Sequence, residues 1–284
     1  MRWVFFGSSE FSVYVLDELL LHNLLPDLIV TTPDKPKGRK LVLTPTPIKT
    51  WAHNHDIEVL DPHSLNPSTS SGQATISNLR SSISDLFLVA SYGKIIPPEV
   101  FEIPPRKTLN IHPSLLPKYR GASPIQSQIL NGDTEVGVTI MQIEATMDTG
   151  PIVVQKKLGS EGKIMGRREL EVLLAKEGAR LFAHVVPEWL QGVIDPIIQN
   201  ESEATYCTKI TKEDGLLDLS LDPMLNLRKI KAFEGWPSAY FFQDSKRVIV
   251  IDARISEGKL ELLRVLPEGK KEMAYSDFLR GKRT

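Results

Sequence analysis

The chain has little of what a secreted or membrane protein requires. It contains one cysteine, Cys207, so no internal disulfide can form, and we predict a buried free thiol there. The apolar run near its N-terminus, Trp3–Phe6, is shorter than the core of a signal peptide. No later run reaches the roughly 20 apolar residues that a membrane-spanning helix needs. We therefore predict a cytoplasmic protein with no membrane partner.

Strong charge of either sign is also missing. The formal net charge is −1, so electrostatics alone do not predict a polyanionic partner. Residues 205–284 hold slightly more basic than acidic side chains, which permits such a partner but fits an ordinary solvated surface equally well. With 41% hydrophobic and 24% charged residues the composition is that of a folded protein. A length of 284 residues is enough for a large domain with a smaller one attached.

Two common kinds of cofactor site lack their signatures. Gly7–Ser9 follows the first apolar run, where a dinucleotide-binding loop would lie, but one glycine does not make the G-x-G-x-x-G pattern. His53, His55 and His63 have irregular spacing and no cysteine partners, so surface histidines are the better interpretation. We predict no dinucleotide site and no metal.

Short apolar runs alternate with helical patterns through residue 194. This alternation predicts an α/β, Rossmann-like domain with a mostly parallel sheet and flanking helices. The predicted strands are Trp3–Phe6, Leu28–Thr32, Glu58–Leu60, Leu86–Ala90, Thr108–His112 and Val136–Ile143. The first predicted helix begins at Phe11. Further helices are predicted at about Ile48–His55, Ile76–Ser82, Pro124–Leu130 and Arg168–Leu190. The polar stretch Asn66–Thr75 is predicted to be a surface loop.

The pattern changes at residue 195. Residues 195–205 are turn-prone and are predicted to form a linker to a small, β-rich domain at 206–284. In that domain a helical pattern at Met224–Phe233 precedes alternating patterns at Tyr240–Gln243, Val248–Ile255 and Leu260–Val265. These strands predict a small β-barrel or an open sheet.

Three polar residues bring together the groups that acyl transfer needs. Asn110 and His112 are two apart on a predicted strand, so both side chains point to one face while Ile111 packs into the core. Asp148 lies 36 positions after His112, far enough for the chain to return beside it. An isolated Asn-x-His pair is more often structural than catalytic. Ser114 lacks a G-x-S-x-G elbow, so we predict that it shapes a turn rather than acting as a nucleophile.

The segments NIHPSLLP, RGASPIQ and DTG resemble the active-site signature of the 10-formyltetrahydrofolate-dependent formyltransferases. The resemblance implies that 10-formyltetrahydrofolate is the co-substrate and that Asn110, His112 and Asp148 are catalytic. Asn110 and His112 would then donate hydrogen bonds to the developing oxyanion, and Asp148 would orient the imidazole or accept a proton. The resemblance also implies folate contacts from Ser91, Tyr92, Gly93, Ile95, Ser114, Leu115, Leu116 and Pro117.

A basic, proline-framed loop selects among the substrates of that family. The loop PDKPKGRK at 33–40 is similar to one found in the formyltransferases that act on methionyl-tRNA, and KAFEGWPSAY and GKKEMAYSDFL resemble their C-terminal segments. The resemblance implies tRNA contacts from Lys35, Lys37, Arg39 and Lys40, with further contacts from the small domain. The expected activity is formylation of the α-amino group of initiator methionyl-tRNA for translation initiation, by a monomer.

A departure from the family pattern, an alternative for the loop and three alternative functions accompany this prediction. Only four residues separate Ile255 from Leu260, where the family's OB-type barrel usually has two more strands, so an incomplete barrel is predicted. The loop at 33–40 could be an exposed connector. A sugar-nucleotide N-formyltransferase would share the trio of Asn110, His112 and Asp148 but lack the basic loop. A formyltetrahydrofolate hydrolase would pass the formyl group to water. A non-catalytic tRNA-binding module is the alternative outside the enzymes.

Overall fold

The computed structural model of the chain describes residues 1–38, 41–82, 84–159 and 164–281. Its strands are β1 Trp3–Gly7, β2 Leu28–Val30, β3 Lys35–Lys37, β4 Val42–Thr44, β5 Glu58–Leu60, β6 Leu86–Ala90, β7 Thr108–His112, β8 Arg120–Gly121, β9 Glu135–Gln142, β10 Ile152–Gly159, β11 Tyr206–Cys207, β12 Tyr240–Gln243, β13 Lys246–Ser256, β14 Lys259–Pro267 and β15 Met273–Ala274. Its helices are α1 Glu10–Leu21, α2 Pro47–Asn54, α3 Ser70–Ser81, α4 Pro98–Phe101, α5 Pro124–Asn131, α6 Arg167–Gln191, α7 Pro223–Ala232 and α8 Tyr275–Arg280. No helix among these residues is long and apolar enough to cross a membrane.

The central sheet has the strand order β10-β9-β7-β6-β1-β2-β5. Strands β5, β2, β1, β6 and β7 are parallel to one another, and β9 runs antiparallel to β7. The prediction of a Rossmann-like, mostly parallel sheet is therefore confirmed. Strands β1 and β6 are buried at every residue, as expected for parallel strands with covered faces.

Alternate residues of β1 pack on opposite faces of this sheet. Trp3 contacts Phe182 of α6 at a ring distance of 5.8 Å. Phe6 packs on the other side, 5.3 Å from the ring of Phe87, in a cluster that includes Leu79 of α3. Burying each such aromatic side chain stabilises the fold by roughly 1.5–3 kcal/mol. The two layers of helices thus fix the strands whose ends carry the polar residues.

The strand order reverses at β1, because β2 lies on one side of it and β6 on the other. Ligands of such sheets bind where the strand order reverses, beyond the carboxyl ends of the strands. Hydrogen bonds join the segment after β1 to the end of β6 there: Ser8 N–H donates to the Ser91 carbonyl at 3.1 Å, and the Ser12 hydroxyl of α1 donates to the Ala90 carbonyl at 2.6 Å. Strand β7 ends at the same edge, next to β6.

The chain divides into two compact units. Unit 1 comprises 1–120, 137–157 and 172–205, and unit 2 comprises 121–136, 158–171 and 206–284. This division differs from the predicted 1–194, 195–205 and 206–284, because two inner segments pack with the C-terminal residues. The predicted linker also lies within unit 1, where Ile197 and Ile152 exchange backbone hydrogen bonds of 2.8 Å in both directions.

Unit 2 contains an antiparallel sheet of order β12-β13-β14-β15. Its core is apolar, with Leu227 and Ile230 of α7 packed against Phe241, Val250 and Val265. Strands β13 and β14 are joined by the two residues 257 and 258, which have φ of 51° and 73°, as a tight hairpin turn requires. The order is open within the described residues, so this sheet is a small β-rich unit rather than a closed barrel.

Three local predictions from the sequence were wrong. The stretch Asn66–Thr75 is not a loop throughout, because α3 begins at Ser70 after Thr69, whose hydroxyl accepts a hydrogen bond from Gly72 N–H at 3.1 Å. Threonine at this position caps the helix and satisfies one of its free N–H groups. Strand β10 was missed at the edge of the central sheet. The hairpin of β3 and β4 was expected only as a proline-framed loop.

Candidate active site

Asn110 and His112 lie at the carboxyl end of β7, with their side chains on the same face. Ile111 between them is buried at 1% exposure and packs against α6. A Cβ added at Gly178 of that helix would lie 2.5 Å from Ile111 Cγ2, so only glycine lets the helix approach this closely. The strand geometry of Asn110 and His112 predicted from the sequence is thus present.

One nitrogen of the His112 ring is held by the main chain. The imidazole is 4% exposed, and Nε2 lies 3.0 Å from the Tyr119 carbonyl oxygen. A carbonyl can only accept a hydrogen bond, so Nε2 carries a proton and donates it. The other nitrogen, Nδ1, lies 3.8 Å from Asp148 Oδ2. The structure therefore brings the predicted carboxylate beside the predicted imidazole and leaves Nδ1 as the nitrogen available for chemistry.

Asp148 stands on a turn with a left-handed backbone, at φ of 56°. Aspartate tolerates this conformation better than most residues because its short polar side chain can bond locally. The turn lies close to the end of β9, since a Cβ at Gly150 would be 1.9 Å from the Gln142 carbonyl oxygen. The Asp148 side chain is 14% exposed. The carboxylate is thus largely removed from solvent and directed toward His112.

The Asn110 side chain is half-buried and has no hydrogen-bond partner among the described residues. Its amide is not fully buried and is therefore accessible to a ligand. An amide in this position has two N–H groups free to donate to a ligand. Together the three side chains offer a donor, a base or acid, and a carboxylate at one edge of the sheet.

Hydrogen bonds from β9 and β10 hold the turn Ser114-Leu115-Leu116-Pro117 in place. Thr139, which pairs with His112 across β7 and β9, donates to the Ser114 carbonyl at 2.6 Å and accepts from Leu116 N–H at 3.1 Å. Gln155 donates to the Leu116 carbonyl at 2.6 Å. The Ser114 hydroxyl is fully buried and donates to the Lys118 carbonyl at 2.7 Å, which fits its predicted role in shaping the turn.

The second predicted folate segment follows β6. Ser91 and Ile95 are exposed, and Gly93 has φ of 77° with open space where a Cβ would stand. Tyr92 points the other way, into the core: it is 2% exposed, and its ring lies 5.5 Å from that of Phe6. Burial raises the pKa of the Tyr92 hydroxyl well above its usual value. The structure thus takes the Tyr92 side chain away from this edge and leaves its neighbours Ser91 and Gly93 exposed.

The predicted tRNA loop is a small antiparallel hairpin of β3 and β4. Lys35 and Lys37 are exposed and, being two apart, lie on one face of it. Arg39 and Lys40 lie outside the described residues. Burial, together with the charge of Lys35, lowers the pKa of Lys94, whose ammonium group donates to the Pro62 and His63 carbonyls. A concentration of positive charge therefore extends from the hairpin to the segment after β6.

Sequence reasoning assigned no supporting role to several residues that hold His112, the Asp148 turn or the neighbouring turn at 114–117. These residues are Tyr119, Arg120, Thr139, Gln155 and Gln199, and they act through backbone carbonyls or from elements distant in the chain. A threonine on a buried strand and a glutamine in a polar stretch give no local signal of such a contact. As for metals, no group of three or more His, Cys, Asp or Glu side chains in the described part of the chain is arranged to hold an ion.

Comparison with known proteins identifies the family of the chain. Residues 1–161 match the formyl transferase family, so the chain is a formyltransferase. The chain is also 36% identical to the methionyl-tRNA formyltransferase of Dictyoglomus thermophilum, in an alignment that covers 100% of this chain and 97% of the relative. The chain belongs to the methionyl-tRNA formyltransferase family.

Solved structures agree in fold. The methionyl-tRNA formyltransferase from Clostridium thermocellum superposes with a TM-score of 0.62 at 17% identity, covering 94% of this chain and 99% of that chain. An N-formyltransferase from Helicobacter canadensis, solved with folinic acid and dTDP-3-aminofucose, gives a TM-score of 0.64 at 20% identity and covers 90% and 88%. At these identities the two similarities establish the fold alone, so the acceptor must be argued from other features.

Proposed function

We propose that this chain transfers the formyl group of 10-formyltetrahydrofolate to the α-amino group of initiator methionyl-tRNA. Family membership supports this acceptor. One observation carries the chemistry: His112 Nδ1 faces the Asp148 carboxylate at 3.8 Å, with the free amide of Asn110 on the same strand face. Such a site stabilises charge and moves a proton without a covalent nucleophile. We expect the reaction to take place in the cytoplasm and the enzyme to be a monomer.

The reaction requires stabilisation of a developing oxyanion. The amine nitrogen forms a bond to the formyl carbon, the formyl oxygen takes up negative charge, and the bond from the carbon to folate N10 then breaks. Asn110 Nδ2 is free to donate to that oxygen. Loss of one such donor typically lowers the rate about 100- to 1,000-fold.

The same reaction moves one proton from the amine to N10. Because Nε2–H of His112 is held by the Tyr119 carbonyl, Nδ1 is the ring nitrogen that acts. With its lone pair free, Nδ1 can take the proton of the amine; once protonated, it can donate to the oxyanion or return the proton to N10. Asp148, at 3.8 Å, stabilises positive charge on the ring or accepts the amine proton through a water.

The loops at this edge fit a flat, polar folate head. Gly93 leaves open space beside the exposed Ser91 and Ile95, and the backbone there can pair with the edge of the pterin. We propose that the turn at 114–117 contributes through its main chain and its leucine side chains, since the Ser114 hydroxyl is engaged within the protein. Tyr92 would contribute its backbone rather than its hydroxyl.

The hairpin supports a tRNA acceptor over an amino-sugar. Lys35 and Lys37 are exposed on one face and form no ion pair within the described residues, so both are available for phosphate contacts. A nucleotide sugar needs no such basic projection. Unit 2 carries exposed basic side chains as well, among them Lys246 and Lys259, and we propose that it binds the body of the tRNA.

A single assay separates this proposal from its alternatives. Three parallel reactions contain the protein and 10-formyltetrahydrofolate. The first also contains initiator methionyl-tRNA, the second contains an amino-sugar nucleotide, and the third has no acceptor. We expect formyl-methionyl-tRNA in the first reaction. Formylation of the sugar alone would establish a sugar-nucleotide enzyme, and release of formate without an acceptor would establish a hydrolase. Binding of tRNA with no turnover of folate would leave only a binding module.

A further inference from the structure

The segment at 197–205, which is part of the predicted linker 195–205, contacts the turn that carries Asp148. We propose that Gln199 is a positioning residue that holds the Asp148 turn in place for proton transfer, and that Arg120 and Glu201 fix Gln199 for this task. The proposal rests on the proposed function, since it assigns the turn a catalytic carboxylate. Every residue involved belongs to unit 1.

Gln199 uses its whole amide group. It is 5% exposed, and Nε2 donates to the Asp148 carbonyl at 2.9 Å and to the Gly150 carbonyl at 2.7 Å. Its oxygen accepts from Arg120 Nε at 3.0 Å and Nη2 at 2.9 Å. Arginine only donates and carbonyls only accept, so the amide can have only this orientation. Two hydrogen bonds thus clamp the backbone on both sides of Thr149.

Arg120 is fully buried and holds Gln199 from behind. Its guanidinium binds the Glu201 carboxylate through two hydrogen bonds of 2.7 and 2.9 Å. These hydrogen bonds lower the pKa of Glu201, although that carboxylate is largely exposed. Leaving a buried charge without a partner is strongly unfavourable, so both partners hold the guanidinium in one position. The amide of Gln199 is therefore presented to the turn in a fixed place.

The same segment also supports the other side of the imidazole. Thr205 Oγ1 accepts from Tyr119 N–H at 2.9 Å, and the Thr205 carbonyl accepts from Arg120 N–H at 2.9 Å. Tyr119 has φ of 61° and supplies the carbonyl that holds His112 Nε2. One short segment therefore fixes the carboxylate through Gln199 and the ring through Tyr119.

This arrangement has a kinetic consequence. Asp148 occupies a left-handed backbone conformation, which persists only where the surroundings hold it. Removing the Gln199 amide leaves one buried and one partly buried carbonyl without this donor and frees the turn to move. A displacement of about 1 Å at a reacting group can lower a rate about 100-fold. Binding of tRNA does not depend on this displacement.

The first test compares Gln199→Ala with Gln199→Glu, which keeps the shape but cannot donate both hydrogen bonds. We expect each to lower kcat by roughly 10- to 100-fold, with KM for methionyl-tRNA unchanged. The control is Gln128→Ala, which removes an equally buried glutamine in α5 whose amide donates to the Pro124 carbonyl. Gln128→Ala should lower the melting temperature comparably and leave kcat within about 2-fold. Wild-type kcat in folded Gln199→Glu would overturn the proposal.

A double-mutant cycle separates positioning from general destabilisation. In an Asp148→Asn background, Gln199→Ala should lower kcat by less than about 3-fold, because the group that it positions no longer acts. An equal factor in both backgrounds would show that Gln199 acts elsewhere and would contradict the proposal. A crystal structure of Gln199→Ala gives a readout without activity: we expect a displaced Asp148 turn with His112 unmoved. An unmoved turn would overturn the proposal, whereas failure of the wild type to formylate would instead remove the proposed function.

Discussion

The end of β7 and the β3–β4 hairpin belong to the same unit but are held in different ways. His112 is buried and hydrogen-bonded to the main chain, and the turn that carries Asp148 is clamped by Gln199. The hairpin pairs three residues on each strand and exposes Lys35 and Lys37. Proton transfer needs atoms fixed to a fraction of an ångström, whereas a polyanion is attracted by charge at loosely fixed positions. The difference predicts that catalysis and tRNA affinity can be altered independently.

The largest effect should come from Asn110. We expect Asn110→Ala to lower kcat by about 100- to 1,000-fold, because we propose that its free amide is the donor for the oxyanion. Asn110→Asp, which replaces that donor with a negative charge, should lower it at least as much. KM for methionyl-tRNA should stay unchanged in steady-state assays. Asn78→Ala on the exposed face of α3 is the control and should stay within about 2-fold of the wild type. A kcat for Asn110→Ala within about 5-fold of the wild type would show that Asn110 does not stabilise the oxyanion.

A smaller, salt-dependent effect should come from the hairpin. Replacing both Lys35 and Lys37 by Ala removes the two phosphate contacts that we propose, so log K for tRNA should depend less steeply on log salt, by about one unit of slope per lysine. The plateau rate at saturating tRNA should not change. Binding titrations at several salt concentrations measure this. Lys176→Ala, an exposed lysine on α6, is the control; an unchanged slope in the double variant would mean that the hairpin is a connector.

An effect on stability at alkaline pH should come from Lys49, which anchors the base of the hairpin. Its ammonium group donates to Asp61 at 2.6 Å and to Asp34 at 2.9 Å, and these hydrogen bonds raise its pKa. A raised pKa in the folded state gives stability that is complete below the unfolded pKa of about 10.4 and is lost as pH rises through the folded pKa. Denaturant unfolding of the wild type should therefore lose stability in this alkaline range. Lys49→Met should show a flatter profile there, and an unchanged alkaline slope would refute the assignment.

The smallest effect should come from Tyr92. Its buried hydroxyl has no hydrogen-bond partner among the described residues, so Tyr92→Phe should be neutral or stabilising by up to about 1 kcal/mol. The KM for 10-formyltetrahydrofolate should not change, because the hydroxyl is buried and we propose that Tyr92 contributes only its backbone to folate binding. Urea denaturation and folate titration measure both. A folate KM raised about 10-fold would show that the hydroxyl turns toward the ligand.

The fold followed from the sequence where patterns were local. Continuous apolar runs such as Leu86–Ala90 predicted buried parallel strands, and strand periodicity placed Asn110 and His112 on one face. The proximity of Asp148 came only from the resemblance of its motif to a known signature. Nothing near Gln199 signals a contact with a turn 49 to 51 residues earlier, because its amide binds carbonyls, which every residue has. For the same reason, the contact between the Tyr119 carbonyl and His112 could not be predicted from the sequence.

Single-turnover formylation as a function of methionyl-tRNA concentration tests most directly whether the chemistry and tRNA binding depend on separate residues, with His112→Ala and Lys35→Ala/Lys37→Ala measured side by side. We expect His112→Ala to lower the plateau rate and keep the half-saturating concentration. We expect the hairpin variant to raise the half-saturating concentration and keep the plateau. A normal plateau in His112→Ala, or a plateau that falls in the hairpin variant alone, would refute this separation.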